Sequence, residues 1–94
     1  MIEPTLRARI LFRGIVQGVG FRYFVLKRAA EFSITGLARN LPGSEVEVIA
    51  EGDRQEIERF FDAIREGPVS AVVREAKIFW EPASGGYPDF RIGY

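Results

Sequence analysis

Nine residues, Gly14-Ile15-Val16-Gln17-Gly18-Val19-Gly20-Phe21-Arg22, stand between a run with two-residue periodicity and a run with helical periodicity. Before them, Leu6, Ala8, Ile10 and Phe12 alternate with Arg7, Arg9, Leu11 and Arg13, the pattern of a strand with one buried and one wet face. After them, Phe21, Phe24, Val25, Ala29 and Phe32 recur at helical spacing, which predicts a helix from about Arg22 to Phe32. The nonapeptide is therefore a strand-to-helix loop, and any fold the chain adopts must join sheet to helix there.

The loop also has a chemistry. Gly14, Gly18 and Gly20 leave three backbone positions free for positive φ or for the close approach of a ligand. The helix opens near Phe21 or Arg22 with its first N–H groups unpaired and the positive end of its dipole facing the loop. Such an arrangement holds anions, phosphate above all. Arg22 in the first helical turn is electrically misplaced by about 0.3–1 kcal/mol, and an anion between it and the loop amides removes the misplacement. A guanidinium can also grip two phosphate oxygens at once. The plain alternative is a loop rich in glycine for its turn geometry alone, with Arg22 as a surface cation. Two familiar phosphate loops do not fit. Val19 stands where a nucleotide P-loop needs its second glycine, and Tyr23 stands where the dinucleotide fingerprint from Gly18 needs Gly or Ala.

Around this centre the chain reads as follows. Met1–Thr5 is an expected tail. Gly36–Leu41 is a second strand, Pro42-Gly43-Ser44 a turn, and Val46, Val48 and Ala50 mark a third strand paired antiparallel to the second. Glu45, Glu47 and Glu51 on that strand are expected to be solvated charges. Asp53 is an expected N-cap with Glu56 as its capping-box partner, opening a second helix with Ile57, Phe60, Phe61 and Ile64 on one stripe. Gly67-Pro68 ends it, and 69–74 is a connector. Glu75–Glu81 is a fourth strand with Ala76, Ile78 and Trp80 on one side and Phe79 on the other. Residues 82–88 form a loop, and Phe90, Ile92 and Tyr94 make a short last strand with inward-facing aromatics.

The order βαββαβ with a short C-terminal strand predicts an α+β ferredoxin-like sandwich, a sheet covered by two helices on one face. In that fold the first helix carries the chain back, so strands one and two run the same way. The end of strand one, the start of helix one and the later part of strand two then share one edge of the domain. Asn40 should face the glycine loop, although an Asn just before a Pro-Gly turn is also a common solvated residue.

Composition narrows the chemistry. Ninety-four residues, 47% of them apolar, predict a single domain over 1–94 with a real core. Thirteen basic residues balance thirteen acidic ones, which gives no argument for nucleic acid or membrane partners. The strand arginines lack the interleaved aromatics of an RNA-binding sheet. There is no cysteine and no histidine, so thiolate chemistry, disulfides and the usual general base are absent, and no metal-ligand cluster stands out. With no signal-peptide core and no long apolar run, the expectation is a cytoplasmic protein.

The nonapeptide resembles the acylphosphatase signature residue for residue. The resemblance continues through Gly36-Leu37-Ala38-Arg39-Asn40-Leu41, Val46-Glu47-Val48, Glu51-Gly52 and Phe90-Arg91-Ile92, nearly the whole chain. Two departures stand out: Ser33 occupies the place where the family usually ends its first helix with glycine, and Gly43-Ser44 replaces a frequent Asp-Gly. The resemblance implies the same sandwich fold, and hydrolysis of a carboxylic–phosphoric mixed anhydride to carboxylate and inorganic phosphate. It implies that the amides of Val16, Gln17, Gly18, Val19, Gly20 and Phe21 and the side chain of Arg22 bind the phosphoryl group while Asn40 positions the attacking water. No cofactor or metal is implied, and the expected partner is a small acyl phosphate, acted on by a monomer. The competing expectation is a non-catalytic phosphate sensor or interaction module built on the same cradle.

Overall fold

The computed structural model describes residues 6–94, and the expected tail 1–5 lies outside them. The elements are β1 (Leu6–Ile15), α1 (Phe21–Ala29), β2 (Ile34–Leu41), β3 (Glu45–Gly52), α2 (Arg54–Ile64), β4 (Val72–Pro82) and β5 (Phe90–Ile92). The sheet runs β4-β1-β3-β2-β5. β1 is antiparallel to β3 and β4, β3 is antiparallel to β2, and β5 lies parallel to β2. β1 and β2 therefore point the same way with β3 between them, as the sandwich requires.

Alternation sets the two faces of the sheet. Ala8, Ile10, Phe12, Ala38, Val46, Val48 and Ala50 turn inward and are buried with Phe21, Val25 and Ala29 of α1 and Ile57, Phe60 and Ile64 of α2. The Phe60 ring links Phe32 and Phe90, at centroid distances of 5.9 and 5.6 Å. The stripe expected on α2 is thus its core face.

Several local expectations change. Gly14 belongs to β1, not to the loop: the strand bulges between Arg13 and Gly14 and runs on beside β4 to Ile15. α1 stops at Ala29 because the N–H groups of Glu31 and Phe32 tighten onto the carbonyls of Arg28 and Ala29, which turns Phe32 onto Phe60. Ser33, which stands where the family usually has glycine, does not take positive φ; among the described residues the non-glycine residue that does is Ser44, at φ 68°. Ser33 instead donates its N–H to Glu56 Oε1 at 2.9 Å. Asp53 holds the N-cap position of α2 without a side-chain capping bond, so no capping box forms. β4 begins earlier than expected, within the supposed connector, because Val72 and Val73 pair with Ile15 and Gly14.

The larger correction concerns the sheet face opposite the helices. Glu47 and Glu51 are not solvated; they are 2% and 1% exposed. Glu47 accepts from Arg9 Nε at 2.5 Å and Arg39 Nε at 2.7 Å. Glu45, half-buried, pairs with Arg13. Glu51 accepts from Arg7 Nε at 2.8 Å, from Ser84 N–H and Oγ at 2.8 and 2.9 Å, and from Gly85 N–H at 2.9 Å. β4 and β5 lie on opposite edges of the sheet, so residues 83–89 must cross it, and Glu51 pins that crossing.

Glu51 makes stability depend on pH. Burial pushes its carboxyl up, but the bonds from Ser84, Arg7 and Gly85 outweigh burial and leave it below the ordinary carboxylate value. The stabilisation is therefore present above the unfolded-state value and fades as pH falls through the folded one. Urea midpoints should drop between neutral pH and strongly acidic pH, and Glu51→Gln should lose part of that drop. An identical pH dependence in the variant would remove Glu51 from the account.

Candidate active site

The loop leaves β1 at Val16 and enters α1 at Phe21. Gly18 and Gly20 have φ of 74° and 78°, while Gln17 and Val19 keep negative φ. Alternating handedness of this kind turns successive N–H groups toward one concavity. A side chain at Gly18 or Gly20 would meet nothing within 4 Å, so glycine is needed for conformation, at about 1 kcal/mol per position, and not for room. Gly20 is also the N-cap of α1; it offers no capping side chain, and no acidic residue sits in the first turn. Among the described residues, the N–H groups of Gly18, Val19 and Gly20 meet no acceptor in the chain. The N-terminus of α1 adds its own unpaired N–H groups and the positive dipole end.

These groups wall a cavity of about 160 Å³, lined by Val16, Gly18, Gly20, Phe21, Arg22, Tyr23 and Asn40. Asn40 reaches it because it lies on the inward-facing side of β2, two residues beyond buried Ala38, on the rim under the start of α1. Larger hollows exist beside Arg13 and Gly43–Glu45, and between Arg65 and Arg74, but neither is lined by the Gly18–Phe21 loop. Arg22 is held from behind: its Nη1 donates to the Gly93 carbonyl at 3.3 Å, and Gly93 N–H in turn donates to Ala38 at 2.8 Å.

Of the residues expected at the site, Val16, Gly18, Gly20, Phe21, Arg22 and Asn40 line one cavity. The side chains of Gln17 and Val19 turn away. Val19 packs on the core, and Gln17 reaches the turn between β2 and β3, so any contribution of these two to the cavity is through the main chain. Sequence reasoning missed Tyr23, 64% exposed on the lip, for which helical spacing gave no signal. It also placed Tyr94 inward. Tyr94 is 98% exposed, and its ring centroid lies 5.2 Å from the Arg22 guanidinium carbon, a cation–π contact beyond the end of β5.

Comparison with known proteins places the chain and its fold among relatives. The acylphosphatase family model matches residues 8–92. The acylphosphatase of Dehalococcoides mccartyi strain CBDB1 is 45% identical over 85 residues, 89% of this chain and 93% of the relative. That of Aeropyrum pernix is 42% identical over 93 residues, 98% and 92% of the two chains. The crystal structure of Bacillus subtilis acylphosphatase superposes with a TM-score of 0.89 at 34% identity, covering 95% of this chain and 99% of that one.

Proposed function

This chain belongs to the acylphosphatase family and hydrolyses acyl phosphates, and from that premise we propose how its residues divide the work. The amides of the 16–21 loop and the guanidinium of Arg22 hold the phosphoryl group, and Asn40 orients the attacking water. The single observation that supports the division is the convergence of the left-handed glycine loop, Arg22 and Asn40 on one small cavity. A module that only held phosphate would have no need of a carboxamide facing the cradle.

The chemistry asks for little more. Water attacks phosphorus, the bond from phosphorus to the acyl oxygen breaks, and its electron pair leaves with the carboxylate. The acid of that leaving group has a pKa of roughly 4–5, so it departs without a general acid. A chain without histidine can therefore carry the reaction. The proton of the water passes to an oxygen of the substrate's own phosphoryl group. Phosphoryl transfer through a loose transition state depends mainly on positioning and electrostatic stabilisation. Fixed N–H groups and one guanidinium supply both. The protein acts, in this reading, as a cytoplasmic monomer over 1–94 that releases inorganic phosphate and binds neither nucleic acid nor membrane.

Phosphate release from benzoyl phosphate tests the division. Asn40→Ala should lower kcat by roughly 10²-fold, because water placement belongs to the reaction step. The inhibition constant of inorganic phosphate should stay within about twofold, because Asn40 does not hold the phosphoryl group. A variant with unimpaired kcat would remove Asn40 from the mechanism.

A further inference from the structure

Asn40 lies on β2 and the glycine loop follows β1, two strands that do not touch. Phe12, Val46 and Asn40 share one rung, with β3 in the middle. Two strand spacings, about 10 Å, therefore separate Asn40 from β1. The β1–β3 ladder ends at that rung, whereas β1 continues beside β4 to Ile15. Beyond Phe12 the end of β1 thus follows the far edge of the sheet, and backbone pairing no longer ties it to the strands on the Asn40 side.

One side chain spans the gap. Gln17 Nε2 donates to the Leu41 carbonyl at 2.8 Å and to the Glu45 carbonyl at 2.8 Å. Both N–H bonds of the carboxamide are used, one on β2 and one on β3, at the paired residues that flank the 42–44 turn. Leu41 directly follows Asn40. Among the described residues, these are the only hydrogen bonds between the 16–20 loop and the β2–β3 hairpin. Residue choice at 17 is narrow. Glutamate would set a carboxylate against two carbonyls, asparagine falls one methylene short, and an apolar side chain leaves both carbonyls without this donor.

We propose that Gln17 is a positioning residue for the hydrolysis: its carboxamide sets the distance between the phosphoryl cradle and the water-orienting Asn40. The inference rests on the roles given above to the loop and to Asn40. The main-chain N–H of residue 17 is untouched by side-chain replacement, so the cradle can be kept while the tether is cut.

The experiment is a double-mutant cycle on benzoyl phosphate hydrolysis, with inhibition by inorganic phosphate as the second readout. Gln17→Met, close in length but without donors, should lower kcat roughly 10- to 100-fold, the scale of a misplacement of about 1 Å. The phosphate inhibition constant should stay within about twofold. In an Asn40→Ala background the same replacement should cost less than about twofold more, because the group it positions is already gone. Gln17→Asn, whose amide cannot reach both carbonyls, should repeat the pattern and serves if the Met variant does not fold. An unchanged kcat, a rise in the phosphate constant that matches the loss of kcat, or a full loss repeated in the Asn40→Ala background would each overturn the proposal. An Asn40→Ala enzyme with intact kcat would instead overturn the role of Asn40, and this proposal with it.

Discussion

Arg22→Ala should leave a folded protein that hydrolyses benzoyl phosphate at least about 10³-fold more slowly in kcat/KM. Both kcat and KM should suffer, and the inhibition constant of inorganic phosphate should rise. Arg22 lines the cavity at the mouth of α1, where the positive dipole end and the loop amides already disfavour a cation. The Gly93 carbonyl and the Tyr94 ring offset part of that cost, and an anion between the guanidinium and the amides removes the rest. Its planar fork spans two oxygens and is held from behind by the Gly93 carbonyl, so the geometry is set before substrate arrives. Arg22→Lys keeps the charge but loses the fork, and should recover only part of the loss. Steady-state kinetics with both variants, beside circular dichroism to confirm folding, decides the matter. An alanine variant within tenfold of the wild type would mean that the amides alone carry the phosphoryl group.

Gly36→Ala should be the most damaging small substitution in the sheet. Gly36 pairs with Ala50 across β2 and β3 at φ 150°. A β-carbon there would lie 1.8 Å from the Ile49 carbonyl oxygen and 2.7 Å from its carbon, both backbone atoms that cannot rotate aside. Backbone strain of about 1–3 kcal/mol and a comparable overpacking term add to a loss of roughly 2–6 kcal/mol. That is a large part of the stability of a domain this small. Urea or thermal unfolding reads the loss directly. A midpoint equal to the wild type's would mean that β2 and β3 can part at this rung without cost.

Much of this was legible because it depends on local periodicity. Alternation in 6–13, helical spacing after 21 and glycine between them place β1, the loop and α1 without reference to anything distant. The return path of α1 then carries Asn40 to the loop's side of the sheet, a consequence of topology alone. What was hidden depends on partners far along the chain. Glu47 and Glu51 look like wet charges on an alternating strand, yet β3 is the central strand. Arg9 and Arg39 close on Glu47 from the strands on either side, and Arg7 and the 83–89 crossing close on Glu51. Glu56 had a good local partner in Asp53 and took a distant one, the N–H of Ser33. The reach of the Gln17 side chain and the position of Tyr94 over Arg22 are likewise set by tertiary neighbours.

The order β4-β1-β3-β2-β5 has a price in time. Only β2 and β3 are neighbours both in the sheet and along the chain. Every other ladder must wait until Leu6 finds Gly52 and Pro82, and Gly36 finds Phe90, with the entropy of long chain closure met before contacts repay it. The hairpin that presents Asn40 can therefore form early and locally. The strand that leads into the glycine loop locks late, and assembly should run over milliseconds to seconds, at the slow end for a chain of this size.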